Sequence, residues 1–213
     1  MKTEDLISLL ATGAAPVERH VVARRFAPAL IAGGLGSTLL MALVFGVRPD
    51  LAAVAGTPAF WLKLALPFFL ALGALAATAR LSRPGVAPGM AWAAMAWPVV
   101  AVWLGAIALV ALAPPEARLA LVMGQTWKVC PANIALLSVP SFIAVFWALR
   151  GLAPTRLRLA GFTGGLLASA TATLAYSLHC PEMEMSFWAV WYLLGMAIPA
   201  GIGAWFGPRL LRW

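Results

Sequence analysis

The stretch "FAPALIAGGLGSTLLMALVFG", residues 26–46, leaves the chain few choices. About 20 residues without a charge can cross the hydrocarbon core of a bilayer as a helix, where only helices and closed barrels satisfy every backbone polar group. Five more apolar segments follow, at residues 59–78, 90–113, 131–149, 159–178 and 186–206. Only 10% of the residues are charged, against roughly a quarter in a soluble domain. The expected fold class is therefore all-α, a polytopic integral membrane protein with six transmembrane helices. Residues 26–213 form the membrane domain, and residues 1–25 a short cytoplasmic segment with an amphipathic helix. The second segment contains Lys63. Counting it as a span assumes that Lys63 lies near one end and snorkels its ammonium to the headgroups; otherwise five spans remain. The first segment is too long for a cleaved signal peptide, and no small-residue cleavage site follows it.

The net charge is +8, and its distribution sets an orientation. With the N-terminus inside, eleven of the 15 Lys and Arg fall on the cytoplasmic side and Arg48, Arg118 and Lys128 on the outer side. Both termini are then cytoplasmic, in a bacterial inner membrane. Anionic membrane lipid accounts for the positive charge without any direct nucleic-acid partner. No span contains a carboxylate, which argues against a proton- or cation-coupled transporter.

One stretch stands apart. "YSLHCPEMEM", residues 176–185, holds an imidazole, a thiol, two carboxylates and two thioethers, in a chain with two Cys and two His in all. It falls in the outer loop between the fifth and sixth spans. The other cysteine, Cys130, opens the fourth span, so topology puts both thiols at one membrane face. Pro131 suits the first turn of a helix, placing Cys130 near a free, dipole-positive N-terminus with Lys128 nearby; Pro181 ends a helix and leaves Cys180 at a C-terminus. Cys130 is thus expected to be the more reactive thiol. Three readings stay open: a redox or metal sensor in which Cys130 and Cys180 form a disulfide or share a soft metal, a permanent disulfide, and two unrelated buried thiols. Thiolate, imidazole and thioether donors suit Cu or another thiophilic metal, with His179, Met183 and Met185 as auxiliary ligands. Glu182 and Glu184 read as solvated loop acids, and His20 as a solvated member of a basic run.

At the N-terminus, "MKTEDLISLLATGAAP" reads as an amphipathic helix. Thr3 is a candidate N-cap, Glu4 and Asp5 suit the first turn, and Gly13 and Pro16 end it. Leu6, Ile7, Leu9 and Leu10 make its apolar side. That side is expected either to lie on the bilayer or to dock in the groove of a cytoplasmic partner. Gly161-x-x-x-Gly165 and Gly203-x-x-x-Gly207 have the spacing of close helix approach, a weak signal in a chain with 19 Gly. Trp61, Trp127 and Trp188 read as an interfacial belt, and Trp103 and Trp147 as packing.

"EDLISLLA", "GVRPDL", "WKVCP", "LAYSLHCPE", "AVWYLLG" and "GPRLLRW" occur in this order over nearly the whole chain. Together they resemble the negative regulators of sigma-F, membrane-embedded anti-sigma factors of extracytoplasmic-function sigma factors. The resemblance implies a six-span inner-membrane protein whose cytoplasmic segment, around Asp5–Leu10, holds a sigma factor inactive. It implies that Cys130 and Cys180 sense metal or oxidative stress and release that factor. It implies no enzyme. The main rival is a quinone-linked membrane thiol-disulfide oxidoreductase, which usually needs two cysteine pairs; this chain has at most one and no CxxC. A copper-binding membrane protein, a metal exporter and a purely structural subunit are the other rivals.

Overall fold

The computed structural model describes residues 3–12 and 20–212. Gly13 and Pro16 lie outside these residues. The elements are α1 (Thr3–Thr12), α2 (Val21–Val44), α3 (Leu51–Val54), α4 (Pro58–Leu81), α5 (Ala91–Leu112), α6 (Pro115–Met123), α7 (Cys130–Arg150), α8 (Leu157–Tyr176), α9 (Met185–Phe187), a π-helical turn (Trp188–Tyr192) and α10 (Leu193–Leu210). Six stretches are long and apolar enough to cross a membrane: α2, α4, α5, α7, α8 and the composite run Met185–Leu210. They match the six segments read from the sequence, including the one holding Lys63. The first span starts earlier than expected, because "VVARR" already belongs to α2.

Helix α8 is the axis of the bundle. Its span is 72% buried, against 22% for α2 and α5, and α10, α4, α7 and α2 all pack on it. The sequence explains this position. In "LRLAGFTGGLLASATATLAY" most residues are small, and membrane helices associate through close packing rather than through exclusion from water. Where α8 crosses α10, both glycine pairs are in use. A methyl group on Gly161 would collide with the Gly203 carbonyl, and one on Gly165 with the Pro199 carbonyl. The spacing that looked weak in the sequence is a crossing in which backbone meets backbone. Ser169 Oγ adds a 3.0 Å bond to the Met196 carbonyl across the same interface. Between α2 and α7, Ser37 Oγ donates to the Leu137 carbonyl and lies 2.8 Å from Ser141 Oγ.

The tryptophans divide differently from expectation. Trp188 is 1% exposed and belongs to the core, whereas Trp147 faces outward and Trp103, half exposed, donates its indole N–H to the Ala189 carbonyl at 2.9 Å. Their burial follows the helix face each occupies, which depth along the sequence does not reveal. Helix α1 has the expected extent, with Thr3 as its first residue and Glu4 and Asp5 in its first turn, and none of its residues is buried.

Candidate functional site

The outer loops of the sequence reading gather at one end of the bundle, and the two cysteines meet there. Cys130 is the first residue of α7, its N–H bonded to the Thr126 carbonyl at 3.0 Å. Cys180 closes the turn after α8, its N–H bonded to the Tyr176 carbonyl at 3.0 Å. Both thiols are free and wholly buried. Each lies beside a tyrosine: Tyr176 next to Cys130 and Asn133, Tyr192 next to Cys180 and Ser177. The Tyr192 hydroxyl is buried without a well-formed hydrogen bond. Tyr192 ends the π-helical turn, a kind of irregularity frequent at functional sites; no sequence signal announced it.

Lys63 overturns the snorkelling expectation. It is fully buried, its Nζ donates to the Cys180 carbonyl at 2.6 Å, and it stands 5.8 Å from the centre of the Tyr192 ring. The reason is the face of α4 it occupies, which points at α8 rather than at lipid. No carboxylate lies within ion-pair distance of it among the described residues. The groups around it that can carry a balancing negative charge are Cys180, Cys130 and Glu182. An unpaired ammonium in a membrane interior is costly, so its presence points to a role.

The same Cys180 carbonyl accepts a second cation, Arg48 Nη1, at 3.2 Å. Arg48 is held by a two-pronged pair with Asp50, at 2.7 and 2.8 Å. That bond raises the Arg48 pKa and lowers that of Asp50. Glu182 is not the solvated acid the sequence suggested. Its Oε1 accepts from the Gln125 N–H at 2.7 Å, the Thr126 N–H at 2.9 Å and the Thr126 hydroxyl at 3.1 Å. It thereby ties the loop carrying Cys180 to the turn that leads into Cys130. Ser186 and Trp191 add bonds of 2.8 Å to the Leu121 and Val122 carbonyls. Glu184 is exposed, as expected.

The three candidate auxiliary ligands each have a contact of their own. His179 Nδ1 is 2.9 Å from the Gly46 carbonyl, with its ring against Phe45 and Tyr176. Met183 Sδ accepts from Arg48 at 3.5 Å, and Met185 packs on Gly105 of α5. No group of three His, Cys, Asp or Glu able to hold a metal exists among the described residues. The site offers two thiols to a reagent and no third donor of that kind. Cys130 has the first-turn position expected of it, and it is as fully buried as Cys180. At the far end of the chain, Leu6, Ile7, Leu9 and Leu10 of α1 are 40%, 61%, 68% and 66% exposed, with Asp5 also exposed.

Comparison with known proteins bears on what such a molecule does. The family model for the negative regulator of sigma F matches residues 10–213. A probable anti-sigma-F factor of Azospira oryzae is 49% identical over 213 residues, covering 100% of both chains. An anti-sigma-F factor of Caulobacter vibrioides is 39% identical over 222 residues, again covering 100% of each. No solved structure matches the chain significantly.

Proposed function

This chain belongs to the family of negative regulators of sigma F, and on that premise we propose that it is an inner-membrane anti-sigma factor gated by its buried thiols. It holds an extracytoplasmic-function sigma factor on the cytoplasmic side through α1 and releases it when Cys130 and Cys180 react. The observation that carries this reading is the burial of both cysteines in one network with Lys63, Arg48 and Glu182. A bond between the thiols, or a soft ion such as Cu(I) held by both, cannot form without changing how the outer loops meet. A disulfide also needs its Cα atoms within about 7 Å. A two-electron oxidant such as hypochlorous acid would take two electrons and two protons from the thiols, forming the S–S bond and leaving chloride, water and one released proton. Either event biases the bundle between two arrangements, as a signal requires. The axis for transmission is α8 with α10: the loop holding Cys180 joins them, and their glycine crossing lies in the opposite half.

Helix α1 supports the docking role. Its apolar residues at positions 6, 9 and 10 share one helical face, and all three are exposed among the described residues. The test is affinity purification of the tagged full chain from its native membranes. A sigma factor co-purifies with the wild type and is lost from Leu6→Ser/Leu9→Ser/Leu10→Ser. Absence of any sigma factor from the wild-type preparation would refute the reading.

A further inference from the structure

At the end of the bundle opposite the cysteines, α8 and α10 line a cavity of about 810 Å³. Its polar wall is Arg158, Arg209 and Arg212, and its apolar wall includes Gly201, Ala204 and Trp205. No acidic residue is among the described residues that line it. None of the three arginines has an ion-pair or hydrogen-bond partner among the described residues. Three like charges around one hollow repel one another and favour an anionic occupant. Arg158 is in the first turn of α8 and Arg209 in the last turn of α10, the depth at which headgroups lie. Gly201 precedes Arg209 by eight positions, about 12 Å deeper along the helix. A methyl group added at Gly201 would meet nothing within 4 Å. Trp205, 74% exposed, stands between the two depths, as interfacial tryptophans do.

We infer that this cavity binds one anionic phospholipid, its phosphate among Arg158, Arg209 and Arg212 and the start of an acyl chain over Gly201 and Ala204. Guanidinium groups match phosphate with paired hydrogen bonds. The apolar floor running toward the middle of the span distinguishes a lipid from a free phosphate ion, which would leave it bare. The bound lipid would brace the α8–α10 pair at its glycine crossing. The inference needs only that the chain stands in a membrane, so it survives if the anti-sigma reading fails.

The experiment is native mass spectrometry of the full chain after exchange into vesicles holding phosphatidylglycerol or phosphatidylcholine, with lipid retention measured as detergent is added. Phosphatidylglycerol stays bound as one copy and phosphatidylcholine does not. Each Arg→Gln substitution weakens retention about fivefold, and all three together on the order of a hundredfold. Gly201→Leu changes no charge and has room for its side chain. It expels the lipid while leaving the thermal midpoint in a zwitterionic detergent unchanged, which separates lost binding from lost folding. Inorganic phosphate at millimolar concentration does not compete. Equal retention of the two lipids, full retention by Gly201→Leu, or displacement by phosphate overturns the inference.

Discussion

The two ends of this molecule are built on opposite plans. At the thiol end almost every polar group is committed: one carbonyl, that of Cys180, accepts from both Lys63 and Arg48, and one carboxylate, that of Glu182, anchors a neighbouring turn through three bonds. At the other end α1 has no buried residue at all. The first region gains its stability from within the chain, with the Tyr192 hydroxyl as its one buried side-chain polar atom without a bond among the described residues. The second leaves its apolar side chains exposed among the described residues, so that face is open to a partner. A sensor that hands its state to another protein needs both plans in one molecule.

The most drastic way to break the comparison is to cut what joins the ends. Gly165→Leu would drive a side chain into the α10 backbone, and overpacking of this kind costs about 3 kcal/mol or more where backbone cannot yield. The expected outcome is loss of the folded, monodisperse protein in size-exclusion chromatography after mild solubilisation. Glu182→Ala attacks the thiol end alone. It strands donors at Gln125 and Thr126, for about 1–3 kcal/mol, and is expected to lower the thermal midpoint and speed labelling of Cys130 by a membrane-impermeant maleimide. Glu184→Ala, two residues on and exposed, stays within roughly 0.5 kcal/mol of the wild type. Leu9→Ser in α1 sharpens the contrast from the other side. Its stability change is under about 0.5 kcal/mol, while partner binding falls about tenfold or more in a pull-down titration, because a buried leucine is worth roughly 1.5–3 kcal/mol.

The smallest effect concerns pH. Arg48 holds the Asp50 pKa below its ordinary 3.8, so the pair's contribution is complete above that value and fades as pH falls through the lowered one. Asp50 is exposed, and salt screens the pair. Maleimide labelling of Cys180 should therefore be insensitive to protonation of this pair between about pH 5 and 7.

The spans were legible because length and hydropathy are one-dimensional properties, and the membrane enforces them along the chain. The placement of Cys130 and Cys180 at one end of the bundle, 50 positions apart in the sequence, was legible as well, since the two spans between them, α7 and α8, bring the chain back to the face it left. Lys63 was misread because sequence gives its depth but not its helix face, and the face decides between headgroup and core. Glu182 was misread for a related reason: loop acids are usually solvated, and only the assembled bundle brings the backbone N–H groups of Gln125 and Thr126 within its reach.

The account stands most directly on one measurement: the amount of sigma factor retained by the tagged full chain before and after a pulse of hypochlorous acid or Cu(I), in the wild type and in Cys130→Ser and Cys180→Ser. The account predicts that the factor leaves the wild type on treatment and stays on both variants. Release that is undiminished in the variants would contradict it, because the buried thiols would then not be the gate.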